Sequence, residues 1–117
     1  MDQSSTTSAP TILELAASES ARKTIYSNII VTIIQRQALI IGPALAIEQA
    51  RQVDGLQFDA NTMTCSFSGS GSHIIDALIA KYRDFFGHAA VEVCKEAAEQ
   101  YLPQITDDQI PSLLRNT

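Results

Sequence analysis

The fold of this chain depends on residues 24–41, which read TIYSNIIVTIIQRQALII. All six residues at the centre of this stretch, 29–34, are β-branched, and β-branched residues favour a buried strand. Polar residues nevertheless recur three or four positions apart, as they do on one face of a helix. They are Ser20, Lys23, Ser27, Asn28, Thr32 and Gln35. Because no turn signal interrupts the stretch before Gly42, the pattern predicts one long helix from about Thr11 to Ile41.

The same region raises the question of a membrane span, since residues 24–47 carry a single charge, Arg36. Gln35, Arg36 and Gln37 divide it into two apolar pieces, each shorter than the ~20 residues that a spanning helix needs. A charge at the centre of a bilayer is also costly. The N-terminus lacks the cationic start and apolar run of a signal peptide. We therefore expect burial against protein, no membrane span and a cytoplasmic location.

Turn signals and alternation organise the next part of the chain. Gly42 fits just past a helix end and Pro43 fits the first turn of a second helix. Alternating apolar and polar residues at Leu56–Asp59 and Met63–Ser68 predict a β-hairpin with one apolar face. Because a lone hairpin is only marginally stable, that face must pack on helices or extend a sheet in a partner.

Two further helices are predicted after the hairpin. Ser72 is placed to cap a helix from His73 to Phe86, and Gly87 separates it from a second amphipathic helix that ends before Pro103. The predicted fold class is therefore α+β and helix-dominated, with a long N-terminal helix, a central β-hairpin and two C-terminal helices.

Length and composition limit the domain count and the classes of partner. The 117 residues suffice for one ordinary domain. Residues 1–9 are Ser/Thr-rich and predict a disordered tail, which leaves residues 10–117 as a single domain. Eight basic residues against 13 acidic ones give a net charge of −5, and the basic residues are scattered. This balance disfavours nucleic-acid binding, which needs a basic surface.

The loop of residues 69–72 is the first candidate for a binding site. Backbone N–H groups between a strand and a helix can hold a phosphate or carboxylate. The loop lacks the third glycine of a dinucleotide fingerprint and the lysine of a P-loop, so a helix cap with a turn is favoured over an anion site. The ligand hypothesis adds an apolar pocket between the hairpin and the aromatic helix. Its predicted ligand-binding residues are Gly69, Ser70, Gly71, Ser72, His73, Tyr82 and Phe86.

Catalytic and metal-binding residue types are few. His73 and His88 are the only histidines, and each shares a predicted helix face with an acidic residue. Cys65 and Cys94 fall on apolar faces, where a free cysteine behaves as a small hydrophobe, and two cysteines are too few for a disulfide framework. We therefore predict no metal site, no cofactor and no catalytic residues. The sequence leaves open whether the chain is an enzyme and favours a non-enzymatic role.

The predicted elements offer more apolar face than one small domain readily buries. Symmetric association is the commonest way to cover such an excess. We therefore expect a homodimer whose interface includes Ile25, Ile29, Ile30 and Ile33 of the long helix.

Three functional hypotheses remain. The leading one is a non-enzymatic interaction or regulatory module that acts as a homodimer and presents a surface to another protein. The second is a small-ligand sensor with an apolar pocket and an anion site at a helix N-terminus. The third is a small enzyme that uses His73 or His88 as a general base.

Overall fold

The computed structural model describes the backbone of residues 12–115 and the side chains of residues 18–115. The helices and strands are α1 (Ile12–Ile41), α2 (Pro43–Arg51), β1 (Leu56–Asp59), β2 (Thr64–Phe67), α3 (Gly71–Phe86) and α4 (His88–Ala98), followed by 3-10 turns at Leu102–Gln104, Asp107–Gln109 and Ser112–Leu114. This order confirms the predicted helix-dominated α+β fold. The predicted tail at residues 1–9 and the predicted helix start at Thr11 lie outside the described residues.

The β-branched stretch at residues 29–34 is helical, as the periodicity predicts. Ile29, Ile30 and Ile33 are fully buried because α1 packs against α2, α3, α4 and β2. Tertiary packing therefore outweighs the strand propensity of these residues. The predicted dimer interface is therefore corrected at these three residues. Their side chains are covered by the rest of the same chain, so they have no exposed area that a second copy could contact. Ile25 is half-buried and packs against the same core.

The hairpin covers one side of this core. β1 and β2 are antiparallel, with Leu56 opposite Phe67 and Phe58 opposite Cys65. Leu56, Phe58 and Phe67 are buried, and β1 packs on α2 while β2 packs on α1. The predicted apolar face is thus covered by helices. The second strand begins one residue later than predicted because Met63 belongs to the turn, where its φ is 54°.

Two buried hydrogen bonds fix the relative directions of the helices. Gln37 Nε2 of α1 donates to the Ala90 carbonyl at the start of α4, at 3.0 Å. The Tyr82 hydroxyl of α3 donates to the Ala46 carbonyl of α2, at 2.7 Å. The α1–α2 turn at Gly42 and the α3–α4 turn at Gly87 therefore lie at the same end of the molecule.

By length and composition, residues Ser18–Ile41 of α1 could cross a membrane, and 33% of their most apolar window is buried inside the structure. The core helix of a soluble protein passes the same test. The expected absence of a membrane span and the cytoplasmic location thus stay predictions.

Candidate functional site

The loop before α3 caps the helix two residues earlier than predicted. Ser70, not Ser72, is the N-cap, and its hydroxyl accepts a hydrogen bond from the backbone N–H of His73 at 3.3 Å. Gly69 has a φ of 84°, a left-handed conformation that favours glycine. Gly71 is buried, and a Cβ at this position would overlap the ring of Tyr26. The backbone conformation at Gly69 and the packing of Tyr26 on Gly71 therefore explain both glycines without a ligand.

The same loop borders an open depression of about 350 Å³ whose other walls come from α1 and β2. Its lining residues are Glu19, Arg22, Lys23, Tyr26, Phe67, Gly69, Ser70 and Gly71. Two cationic side chains thus lie beside the N-terminus of α3. The Lys23 ammonium is 5.5 Å from the centre of the Phe67 ring, which is within cation–π range. Arg22 and Lys23 carry no signal in the sequence that places them at this loop, because only the tertiary fold brings this turn of α1 next to residue 70.

The aromatic residues predicted for this pocket lie elsewhere. Tyr82 is fully buried, and its hydroxyl donates to the backbone of α2. Phe86 is half-buried at the last residue of α3. A helix rises ~1.5 Å per residue, so Phe86 is about 22 Å along the axis from Gly71. The loop at residues 69–73 and the two aromatic side chains therefore do not form one site.

The histidines do not converge either. His73 lies in the first turn of α3 and His88 in the first turn of α4, so the length of α3 separates them. His88 Nε2 lies 3.3 Å from Glu92 Oε2, and both side chains are exposed. Asp76 accepts hydrogen bonds from Ser112 and from the Leu113 N–H, at 2.8 to 3.1 Å. Asp76 therefore anchors the C-terminal segment to α3. No group of three or more potential metal ligands occurs within the described part of the chain.

Both thiols are shifted toward the protonated form. Cys94 is fully buried, and burial raises the pKa of its thiol to about 11. Burial also raises the pKa of the Cys65 thiol, whose S–H donates to the Ser27 carbonyl at 3.6 Å. Because the thiolate is the nucleophilic form, neither environment activates a cysteine at neutral pH.

The most unusual surface lies at the end of the molecule that holds the two helix turns. Five large hydrophobic side chains are exposed among residues 18–115, and four of them lie at or near this end. We call these four the apolar end; they are Leu39 (84% exposed), Ile40 (63%), Leu45 (45%) and Phe85 (63%). The fifth, Met63, lies in the hairpin turn.

The position of Phe85 follows from its neighbours in the chain. Tyr82 is hydrogen-bonded to Ala46 of α2, and Ala90 is hydrogen-bonded to Gln37 of α1. Phe85 lies between Tyr82 and Ala90 in the chain and is therefore held near both contacts. Phe85 follows the fully buried Tyr82 by three residues, so helical spacing predicts that it is buried as well, yet it is 63% exposed. Helical spacing gives the face of a helix but not the point along its length at which the neighbouring helices stop covering it.

Ile40 illustrates the same effect on α1. It lies seven residues after Ile33, so both side chains leave nearly the same face of the helix. Ile33 is fully buried, whereas Ile40 lies beyond the contact between Gln37 and α4 and is 63% exposed. The apolar stripe of α1 therefore extends past its intramolecular cover.

Comparison with known proteins found no family model, no curated protein and no solved structure that matches this chain.

Proposed function

We propose that this chain is a non-enzymatic interaction and regulatory module that acts as a homodimer. The apolar end carries the proposal: four large hydrophobic side chains are exposed close to two adjacent helix turns. Soluble monomers rarely expose large contiguous apolar patches, and those that occur often mark interaction sites. In the dimer the apolar end is buried, and the remaining surface is presented to another protein.

Several features of the described residues favour binding over catalysis. The two thiols are held in the protonated form by burial, and the two histidines are a helix length apart. Asp76, which shares a helix face with His73, is engaged by the C-terminal turn. The thiols and Asp76 therefore act in the packing of the chain, and the exposed histidines have no catalytic partner among the described residues at hydrogen-bond distance other than Glu92 beside His88.

The homodimer is tested by the mass of the particle in solution, measured by light scattering over a range of protein concentrations. We expect the wild type to approach twice the mass of one chain as concentration rises. Leu39→Asp should remain a monomer, because it places a charge at the most exposed apolar position. Met63→Asp is the matched control, since Met63 is also exposed but lies in the hairpin. A wild type that keeps single-chain mass throughout would overturn the proposal.

The depression beside α3 favours a second candidate function, a sensor of a small anionic ligand. Arg22 and Lys23 line it together with the loop at residues 69–71. Cations and a helix N-terminus both attract negative charge. Inorganic phosphate is a simple probe: it should raise the melting temperature of the wild type, and Arg22→Gln should reduce this effect. An unchanged melting temperature at all phosphate concentrations would exclude phosphate recognition here.

A further inference from the structure

The helical hairpin formed by α1 and α2 carries opposite charges on its two arms, close to the apolar end. Arg36 lies one helical turn before Leu39 and Ile40 on α1, and Glu48 lies about one turn after Leu45 on α2. Both charged side chains are exposed. Neither forms an ion pair with another residue in the range 18–115. Arg51, about one turn further along α2, is also exposed. Nearest the apolar end, the α1 arm therefore has a basic residue available and the α2 arm an acidic one.

Resting on the proposed function, we propose that the homodimer is isologous, with its two-fold axis near the Gly42 turn. In this arrangement Arg36 of each copy pairs with the partner's Glu48. A two-fold interface must be self-complementary: if one surface element contacts a second, the second must contact the first in return. Arg36 on one arm and Glu48 on the other, each six residues from Gly42, satisfy this condition. The same symmetry places Leu39 and Ile40 of one arm against Leu45 of the opposite arm.

The Gly42 turn leaves room for this approach. Gly42 has a φ of 95°, and no atom outside its immediate chain neighbours lies within 4 Å of the position that a Cβ would occupy. Pro43, Ala44 and Leu45, which follow it, are exposed. The tip of the helical hairpin is thus bare backbone and small or apolar side chains.

Charge also favours a second copy over an anionic lipid surface. The whole chain has a net charge of −5, so an anionic surface repels it. Two copies repel one another as well, but Arg36 and Glu48 together add no net charge to the contact. Their mutual attraction in the two-fold arrangement fixes the register of the two apolar ends.

Charge reversal tests this arrangement on the full chain. Arg36→Glu places an acidic residue at both pairing positions, and Glu48→Arg places a basic residue at both. Each variant alone then opposes like charges twice in the dimer, and we expect its self-association to weaken about tenfold or more. Mixed together, the two variants should form a heterodimer close to wild-type strength, because every contact is again between opposite charges. Sedimentation of the separate and mixed variants measures this.

Glu99→Arg provides the matched control. It changes the net charge by the same amount as Glu48→Arg, but at the opposite end of α4 from the Gly87 turn. It should leave association at or slightly above the wild-type strength, and helix circular dichroism should be unchanged in all three variants.

The possible outcomes separate the inference from the proposed function. If the wild type dimerises and both reversals leave the dimer intact, or if mixing restores nothing, the two-fold pairing of Arg36 with Glu48 is wrong while the homodimer stands. If the wild type does not dimerise, both the two-fold pairing and the homodimer are wrong. Loss in each single variant with recovery on mixing supports the pairing, since only an interface that uses both positions in both copies behaves in this way.

Discussion

Alanine substitution at Ile33 and Ile40 compares one residue type at two positions on the same face of α1. The two positions are seven residues apart, and Ile33 is 0% exposed while Ile40 is 63% exposed. Truncation of a fully buried isoleucine removes its transfer free energy and leaves a cavity, which together cost about 2–5 kcal/mol. Ile33→Ala should lower the free energy of unfolding by this amount.

Ile40→Ala should cost far less. Full burial of an isoleucine side chain contributes about 1.5–3 kcal/mol, and only about a third of Ile40 is buried within the chain. The substitution leaves an open surface and no enclosed cavity, and alanine is also the better helix former. We expect a loss of about 0.5 kcal/mol or less in the monomer.

Urea unfolding followed by the circular dichroism of the helices measures both changes. Small domains lose about 1–3 kcal/mol of stability per molar urea, so Ile33→Ala should move the midpoint down by about 1–2 M and Ile40→Ala by a few tenths. Each curve is recorded at several protein concentrations, because association through the apolar end makes the midpoint concentration-dependent.

Equal midpoint shifts for the two variants would refute the reasoning. So would an Ile33→Ala loss that disappears on dilution, because that behaviour belongs to a residue at an interface between copies. A concentration-independent loss at Ile33 would confirm that this residue is part of the intramolecular core.

Three further predictions concern the packing of α3 and α4. Gly71→Ala should destabilise the fold by about 1–3 kcal/mol, since its Cβ overlaps the Tyr26 ring, and a Tyr26→Leu background should recover part of this loss in a double-mutant cycle. Burial raises the pKa of the Cys94 thiol from 9.0 to about 11, so the folded state holds this proton more tightly than the unfolded state. The resulting stabilisation is complete below pH 9 and is lost as pH rises toward 11. The free energy of unfolding of Cys94→Ala should therefore depend less on pH in this window than that of the wild type. An equal pH dependence of the two proteins would contradict the raised pKa of Cys94. Asp76→Ala should speed hydrogen exchange of the N–H groups in the last 3-10 turn and cost about 1–2 kcal/mol. Asp84→Ala, an exposed change on the same helix, should do neither.

The candidate site was only partly predictable from sequence. The glycine–serine loop at residues 69–72 was recognisable as a helix start, but its neighbours Arg22 and Lys23 were not, since they come from a helix turn more than 45 residues away in the chain. Conversely, Tyr82 and Phe86 share the helix with this loop, yet the rise of α3 carries them to its far end. Sequence spacing identifies residues that share a face. It does not bring together residues from different elements.

The sequence by itself determined the elements of this protein. Turn residues such as Gly42 and Gly87 divide the helices, and three- to four-residue periodicity correctly predicts a helix at residues 29–34 despite their β-branching. Only the tertiary structure decided which apolar residues remain exposed. Ile33 and Ile40 have the same side chain and the same helix face, and they differ because α4 begins near Gln37 and covers one of them but not the other. Burial depends on where neighbouring helices begin and end in space, and periodicity along one helix carries no information about that.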